Sequence, residues 1–510
     1  MKVFPNVDVE QVKKDPLSIQ AFGKRFVADQ SLYEYLLEFL LVFSSAKAEG
    51  EDDTKCTFHK VNIGNVRVIE YYAEYRIALK RFILFEKSKR EGQFEADKKA
   101  YGEMLNLLNG RIRDYDTESH IVENIQDLFY GFSVVLKNRS WFAQALLPLS
   151  PSLIFAESMG EKKEREKELS VTELDDKFEF GRHNFFARGG EAYYLHVLRS
   201  VLLYPEYRDV IELGLTNLIT QTKGVTELAD YIQNIWEKKN GLERKVRKCT
   251  CGYIPLGYDK RAQYTCIELK NFLQSSINVI DKIQLLAKGI ILQIIRMFHI
   301  QARERIGNQE PPFWVIDMRS GNKNIRDYAE MTYINYNEDI IDALHVGINN
   351  LADIREHLIS IARNEKKKSA LKNDKELTCI LMNEGGEESY KVMKKLGKEI
   401  KLIIPANGAY ERFSLSEDLV KFLVLSLVEP GKKITIEHFM NLLFDHFGMV
   451  IGRKHMHAYC KQKNIDESEV SYFEENEKAF KQFLSNCGFL RELSDATAIV
   501  FNPYEKEYEA

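Results

Sequence analysis

Apolar residues recur every three or four positions along much of the chain, which is the spacing of one buried helix face. The first such stretch runs from Leu32 to Phe43. Pro148 and Pro151 interrupt the helical pattern, so residues 1–150 are predicted to form a helical N-terminal domain. Further helices are expected within it at Val66–Lys89, Glu95–Leu108 and His120–Leu136.

Residues 151–365 are predicted to form a helical central domain. Dense apolar positions in Phe185–Leu203 indicate a buried helix that stops near Pro205. A long buried helix is expected near 268–305, because apolar residues there keep helical spacing over about seven turns. Those residues are Leu273, Ile277, Ile280, Ile283, Leu286, Ile290, Ile294 and Phe298. The other expected elements are a helix at Val210–Leu218, a buried strand or short helix at Phe313–Met318 and a helix at Glu338–Ala362.

Residues 366–412 are predicted to form a linker and a small αβ element. Asn364–Asp374 is rich in lysine and poor in apolar residues, which is typical of a solvated linker. After it, Cys379–Met382 and Ile400–Ile404 flank a helical pattern at Glu388–Leu396.

Residues 413–510 are predicted to form a winged-helix-like module. Ser416 is a favourable N-cap for a first helix, and a second helix starts at Thr435 and ends at Gly448. A last helix ends at Gly488 and leads into a hairpin formed by Phe489–Leu493 and Thr497–Phe501. The expected fold class is therefore mainly α and multidomain, with helical N-terminal and central regions and a C-terminal winged-helix-like α+β module.

Composition limits the functional classes. The 72 basic and 76 acidic residues give a net charge of -4, which excludes a protein that coats nucleic acid by bulk positive charge. The seven cysteines are odd in number and scattered, which favours a reducing compartment. The N-terminus has no apolar signal core and no apolar run has the length of a bilayer, so a cytoplasmic protein without membrane association is expected.

Two local basic segments are candidate nucleic-acid-binding sites. The first precedes Tyr253 and Tyr258, which are candidate stacking groups, and its alternative interpretation is a solvated loop. The second lies within the C-terminal module. Their candidate residues are Lys238, Lys239, Arg244, Lys245, Arg247 and Lys248 in the first, and Arg453, Lys454, Lys461 and Lys463 in the second.

The helix before the C-terminal hairpin is acidic. Glu474, Glu475 and Glu477 make it a poor surface for a phosphate backbone. We therefore expect this module to dock onto a protein first and to contact DNA second, since the fold alone does not decide between them.

Two groups of residues are weak candidates for zinc binding. Cys249, Cys251 and Cys266 could supply three thiolates, but their spacing is not that of a zinc ribbon and no fourth ligand lies nearby. His457 and Cys460 share one helix face. Reduced structural cysteines and a polar surface are the favoured interpretations, so no metal and no cofactor are predicted.

Catalytic motifs are missing from the sequence. It has no phosphate-binding loop, no nucleophile elbow and no H-E-x-x-H, which argues against independent NTP hydrolysis and the commonest hydrolases. Asp317 and Glu330 lie near basic residues, as in metal-dependent nucleases, although surface ion pairs are the favoured interpretation. Those basic residues are Arg319, Lys323 and Arg326. No catalytic residue is assigned, and a non-catalytic protein is favoured.

Arg188–Glu191 is a further candidate, for binding phosphate. It precedes a predicted helix, and exposed backbone amides at such a position bind anions. A tight turn is the alternative and the favoured interpretation.

Three stretches carry a resemblance to a known family: Ser140–Pro148 (SWFAQALLP), Phe185–Val197 (FFARGGEAYYLHV) and Ile434–Gly452 (ITIEHFMNLLFDHFGMVIG). In these stretches and in its length the chain resembles the DptG/DndG accessory subunit of DNA phosphorothioation-dependent restriction complexes. The resemblance implies a component of a phage-defence assembly that acts with ATPase and nuclease-like partners on DNA lacking a protective modification. It implies no catalytic residue.

The leading hypothesis is therefore a non-catalytic, DNA-associated subunit of a prokaryotic restriction or anti-phage defence complex. Its expected partners are the other subunits, including an ATPase, and DNA. A stand-alone winged-helix DNA-binding regulator and a metal-dependent nuclease are the alternatives.

Overall fold

The structure is a computed structural model, and it describes only part of the chain. The described residues are 3–4, 16–24, 26–27, 30–61, 69–74, 106, 149–154, 189–221, 223, 226–227, 230–231, 234, 246–251, 254–255, 257–348, 365–464, 470–494 and 497–508. The predicted helix at His120–Leu136 lies outside them, and so does Glu95–Leu108 apart from the helical Asn106.

Helices dominate the described residues. In chain order they are α1 (Leu17–Phe22), α2 (Leu32–Ser44), α3 (Glu191–Leu203), α4 (Arg208–Thr220), α5 (Ala262–Gln274), α6 (Val279–Arg305), α7 (Lys323–Ile348), α8 (Glu365–Ala370), α9 (Asp374–Glu387), α10 (Tyr390–Glu399), α11 (Glu417–Leu427), α12 (Ile436–Phe447), α13 (Arg453–Lys463) and α14 (Phe473–Asn486).

Short strands form small sheets between the helices. In chain order they are β1 (Val3–Phe4), β2 (Glu70–Glu74), β3 (Val246–Thr250), β4 (Ile254–Pro255), β5 (Trp314–Val315), β6 (Ile403–Ile404), β7 (Arg412–Phe413), β8 (Lys433–Thr435), β9 (Met449–Val450), β10 (Leu490–Ser494) and β11 (Thr497–Phe501). The pairs β1–β4 and β5–β9 are parallel, and β2–β3 and β6–β7 are antiparallel. The remaining strands form an antiparallel sheet in the order β10-β11-β8.

The N-terminal region confirms one predicted helix and corrects another. α2 matches Leu32–Phe43, and the Glu34 carboxylate accepts a hydrogen bond of 2.8 Å from the Ser31 amide at its start. The described part of Val66–Lys89 is the strand β2, so the helix predicted there is wrong. Alternate residues of β2, Tyr71 and Ala73, are buried, and β3 pairs along its whole length. That two-residue period belongs to a strand.

The long central helix is interrupted. The long buried helix predicted near 268–305 is confirmed from Val279 to Arg305 as α6. Its predicted start is wrong, because Ser275–Asn278 separate α5 from α6. The Asn278 side chain caps α6 by accepting a hydrogen bond of 2.9 Å from the Ile280 amide. The helices predicted on either side of Pro205 are confirmed as α3 and α4.

A segment close to residue 508 pairs with this interruption. The Ser276 amide donates to the Glu505 carbonyl at 3.0 Å, and the Glu507 amide donates to the Gln274 carbonyl at 2.8 Å. The buried Lys282 ammonium pairs with the Glu507 carboxylate. Backbone groups released by the helix break are thus satisfied by residues far along the chain.

The region after α6 follows the prediction in part. Phe313–Met318 contains the buried strand β5, which confirms the strand interpretation. The helix predicted at Glu338–Ala362 begins earlier, because α7 already starts at Lys323, and residues 349–364 lie outside the described ranges.

The predicted linker is largely helical. α8 occupies Glu365–Ala370 within the expected linker at Asn364–Asp374, and Cys379–Met382 belongs to α9. Ala370 and Leu371 are buried, so this segment packs against the fold instead of being solvated along its length. The helical pattern that follows is confirmed as α10, with β6 after it.

Local capping signals place the C-terminal elements as predicted. The Ser416 hydroxyl accepts from the Leu419 amide at 3.3 Å, and the Thr435 hydroxyl accepts from the His438 amide at 3.2 Å. Gly448 ends α12 with a φ of 66°. The predicted terminal hairpin is formed by β10 and β11.

One hydrophobic core includes residues from every major segment. Its buried members extend from Leu17 in α1 to Val500 in β11. α6 is long and apolar enough to cross a membrane, but 83% of its most apolar stretch is buried inside the fold, as in the core helix of a soluble protein. The mainly α fold class with an α+β C-terminal region is confirmed, and the exact domain limits remain predictions.

Candidate functional site

A buried polar cluster fixes the C-terminal region against the central helices. The Glu268 carboxylate on α5 accepts from Arg261 Nη2 at 3.0 Å and from His446 Nδ1 on α12 at 2.7 Å. Its other oxygen accepts from the Gln293 amide on α6. Glu268 is only 2% exposed, so this carboxylate joins three helices in a water-poor environment.

Asn476 fixes the helix that precedes the hairpin. Its Nδ2 donates to the carbonyls of Ile316 at 2.8 Å and Ile451 at 2.9 Å. Its Oδ1 accepts from the Met318 amide at 2.9 Å. Because Asn476 is fully buried, α14 presents its opposite face to solvent.

The second basic segment lies on α13, where most of its charge is already paired. Arg453 lies 2.7 Å from Glu474, and Lys454 lies 2.9 Å from Glu437. Lys463 lies 2.8 Å from Glu310, and Lys461 is exposed; Lys461 and Lys463 are in the last turn of α13. Exposed pairs of this kind contribute little stability, roughly 0–1 kcal/mol each. They do, however, lower the net positive charge of the surface.

An open cleft of about 780 Å³ lies where α12, α13 and α14 meet. Its wall carries opposite charges, since Glu437 faces Lys454 and Glu477 pairs with Lys481 at 3.0 Å. Burial, followed by the charge of Lys454, lowers the pKa of His455 below its ordinary value. Neutral histidine and mixed charge suit a polar protein surface better than a polyanion.

The first basic segment is described only at its end. Lys238, Lys239, Arg244 and Lys245 lie outside the described residues, as do the candidate stacking groups' side chains. Arg247 is described only as backbone within β3, where it pairs with Ala73. The Lys248 ammonium lies 2.7 Å from Glu70 of β2. Lys248 therefore lies on the β2–β3 sheet, and the structure does not bring it together with the second basic segment on α13.

The candidate metal ligands lie on different elements of the fold. Cys249 and Cys251 lie at β3, while Cys266 lies on α5, where burial raises the pKa of its thiol to about 12. Cys460 is buried on α13, whereas His457 on the same helix is exposed. Within the described ranges, no group of three or more His, Cys, Asp or Glu residues could hold a metal ion.

The contacts of Asp317, a candidate nuclease residue, hold the local backbone in place. One carboxylate oxygen accepts from the Arg319 amide at 2.7 Å, and the other accepts from Arg412 Nε at 2.8 Å. Its carbonyl accepts from the Ser414 hydroxyl at 2.8 Å. Glu330 lies apart on α7 and makes none of these contacts. Asp317 therefore shapes the loop after β5.

The candidate phosphate site before α3 is occupied by protein. The Gly190 amide donates to Glu38 Oε2 at 2.6 Å, and Gly189 and Gly190 form a turn. Glu191 is buried and paired with Lys24 at 2.8 Å. The tight-turn interpretation is supported, because the amide proposed for phosphate already has a carboxylate partner. Arg188 lies outside the described residues.

A basic surface that was not predicted from the sequence lies on α10. One side of this helix, with Val392, Met393 and Leu396, is buried in the core. The other side carries four lysines, and the exposed Glu399 follows them in the last turn. We call this side the lysine face, and its residues are Lys391, Lys394, Lys395 and Lys398. Their spacing of three, four and seven residues predicts that they share one helix face, so this surface could have been identified from the sequence.

The β6–β7 hairpin lies beside the lysine face. The Glu411 carboxylate lies 2.7 Å from the Lys394 ammonium and 2.6 Å from that of Lys398. Burial raises the pKa of Glu411, but hydrogen bonds from the two lysines outweigh it and hold this pKa below its ordinary value. Tyr410, its neighbour in sequence, is 74% exposed.

The solvent side of α14 and the hairpin has a different character. Glu474 and Glu475 are exposed in the first turn of α14, and Leu493 on β10 is 64% exposed. Exposed acidic residues repel phosphate, and an exposed apolar side chain can serve as an anchor in a protein interface.

Residues 398–500 match the family model of methylation-associated defense system protein MAD7. The matched segment extends from the end of α10 into β11, and it includes the β6–β7 hairpin, α13 and α14. Neither curated proteins nor solved structures gave a match. The finer resemblance to DptG/DndG is not confirmed by this match. The chain is thus similar, over its C-terminal α+β region, to a methylation-associated defence system protein, and this similarity supports a defence-system family.

Proposed function

We propose that this chain is a non-catalytic subunit of a prokaryotic DNA-targeting defence complex, acting in the cytoplasm beside ATPase and nuclease partners. The observation that carries the proposal is the similarity of residues 398–500 to a methylation-associated defence system protein. The resemblance to the DptG/DndG accessory subunit and the lack of a phosphate-binding loop in the sequence agree with it.

Within this role, the C-terminal region acts as a winged-helix docking module. The order α11, β8, α12, then α14 and the β10–β11 hairpin, with β8 pairing to β11, supports the winged-helix interpretation. The surface charge supports docking over DNA reading, because the exposed start of α14 carries Glu474 and Glu475. On α13, Arg453 and Lys454 are already paired with carboxylates.

Charge reversal on the full-length chain tests this role. Deleting the module is unsuitable, since its side chains belong to the common core. Glu474→Lys with Glu475→Lys changes two exposed positions and should abolish co-purification with the products of adjacent genes. Glu376→Lys with Glu384→Lys on α9 is the control of equal charge, and it should leave co-purification intact.

Duplex binding by the same variant separates docking from DNA reading. Added positive charge strengthens any phosphate contact made by α14, so a DNA-reading module would bind duplex more tightly at low salt. Unchanged co-purification together with tighter duplex binding would refute the docking role and favour a stand-alone regulator. Loss of co-purification without any gain in duplex binding is the expected result.

A further inference from the structure

We propose that the lysine face of α10 and Tyr410 together bind a single-stranded segment of nucleic acid. This surface is separate from the docking surface on α14, and the inference does not rest on the docking role. It rests on the charge of α10, the position of Glu411 and the exposure of Tyr410.

Lysines outnumber acidic residues in this segment, although Lys391 lies 2.7 Å from Glu387 of α9. Between Tyr390 and Glu411 the chain carries five lysines and two glutamates. The lysine face extends about 10 Å from Lys391 to Lys398 at a rise of ~1.5 Å per residue. The fifth lysine, Lys401, is exposed just beyond the helix. A row of ammonium groups on a rigid, core-anchored helix matches the repeating phosphates of a nucleic-acid strand.

The aromatic ring is fixed beside these lysines. Glu411 pairs with both Lys394 and Lys398, so Tyr410, the adjacent residue, lies at the edge of the lysine face. Its backbone has a φ of 63°, a left-handed conformation that is unfavourable for a bulky residue. A strained backbone that holds a 74% exposed ring contributes nothing to the core, which points to a binding role.

The exposed ring of Tyr410 favours single-stranded over double-stranded nucleic acid. A base within a duplex has both faces covered by its neighbours, whereas an unpaired base can stack on an exposed tyrosine. The combination of a phosphate-tracking basic row and a stacking ring is the arrangement by which proteins hold single strands. An acidic protein would also be attracted by the lysines, but it offers no unpaired base for the ring to stack on.

The test measures binding of the full-length protein to a fluorescein-labelled, mixed-sequence DNA single strand and to its duplex across a salt series. Lys391→Gln with Lys395→Gln should lower the slope of log affinity against log salt by roughly 1.4 for the single strand, about 0.7 per lost phosphate contact. Lys372→Gln with Lys375→Gln, exposed lysines at the start of α9, is the matched control and should leave the slope unchanged.

Substitution of the ring tests the stacking. Tyr410→Ala should weaken single-strand binding roughly tenfold, because stacking of a base on an aromatic ring is lost, while Tyr410→Phe should retain it. All of these side chains are at least partly exposed, so folding is expected to be preserved and can be checked by circular dichroism.

Several results would overturn the proposal. The first is a single strand that does not bind, and the second is a lysine-face variant that binds like its control. The third is single-strand binding that Tyr410→Ala leaves unchanged. Polyglutamate and unlabelled single strand should also be compared as competitors of the labelled strand. If polyglutamate displaces it equally well, the surface binds an acidic protein instead. The Glu474→Lys, Glu475→Lys variant should still bind the single strand, so each of the two proposals can fail without the other.

Discussion

His299 shows how a single buried residue makes stability depend on pH. Trp314 Nε1 donates to His299 Nδ1 at 2.8 Å, so this nitrogen must be unprotonated. Nε2 then carries the proton and lies 3.0 Å from the Asp339 carboxylate. Burial, opposed only in part by the hydrogen bond to Asp339, lowers the pKa of His299 to about 4. Protonation would place two N–H groups against each other.

We predict that His299 destabilises the fold as the pH falls below about 6.5. The unfolded chain takes up its proton near pH 6.5 and the folded chain only near pH 4, so stability is lost between these values. Between pH 7 and pH 5.5 this loss is about 1 kcal/mol. Urea unfolding at both values measures it, and His299→Gln should show a loss that is smaller by this amount. An equal loss in both proteins would contradict the assignment.

At the scale of elements, contacts far apart in sequence decide where helices stop. Ser416, Thr435 and Gly448 mark element ends with local chemistry, so the sequence predicted these ends correctly. The break between α5 and α6 interrupts an unbroken apolar period and depends on pairing with Glu505 and Glu507. Such a partner has no local signal, and the strand β2, which depends on β3, was missed for the same reason.

The ion pair at this break gives a second prediction. Lys282 has a side chain only 6% exposed, paired with Glu507 and with the Leu273 carbonyl at 3.0 Å. Glu507→Ala leaves the ammonium buried without its counter-charge and should cost roughly 2–3 kcal/mol, below the usual range because Glu507 is partly exposed. Adding Lys282→Met removes that charge and should restore most of the stability.

Denaturant unfolding of the wild type and of both variants measures this difference. Glu505→Ala, an exposed neighbour whose backbone alone takes part in the pairing, is the control and should change stability by less than about 0.5 kcal/mol. A double variant less stable than Glu507→Ala alone would show that the lysine itself stabilises the break.

The same argument applies to the candidate surfaces. The sequence identified the C-terminal basic residues, but their partners Glu437 and Glu310 approach only in the folded chain, so the reduced net charge could not be read from it. The lysine face was readable from its spacing. Its position next to Tyr410 was not, because the contact with Glu411 joins α10 to a separate hairpin.

For the whole molecule, the shared core means that the C-terminal region and the central helices stabilise each other. Gly289 on α6 lies directly under Phe422 on α11, and a methyl group at Gly289 would lie 2.2 Å from the phenylalanine ring. This close contact connects the two regions more tightly than surface contact would.

We predict that Gly289→Ala destabilises both regions together. Overpacking should cost roughly 1–3 kcal/mol, partly offset by the better helix propensity of alanine. Hydrogen exchange followed by mass spectrometry should show lower protection in peptides 279–305 and 417–427 alike. Lys288→Ala, which removes only a surface pair with Asp418, is the control. Loss of protection confined to 417–427 would mean that the two regions open independently.

Glu411 has a consequence for which anions can occupy the lysine face. Its carboxylate already fills the space between Lys394 and Lys398, and it is held there by the same chain. A tethered group acts at a high effective concentration, so one free phosphate ion or mononucleotide competes poorly with it. A polymer that engages several lysines at once gains enough to replace it. We therefore expect long polyanions to bind the lysine face in preference to the abundant small anions, because Glu411 competes with both.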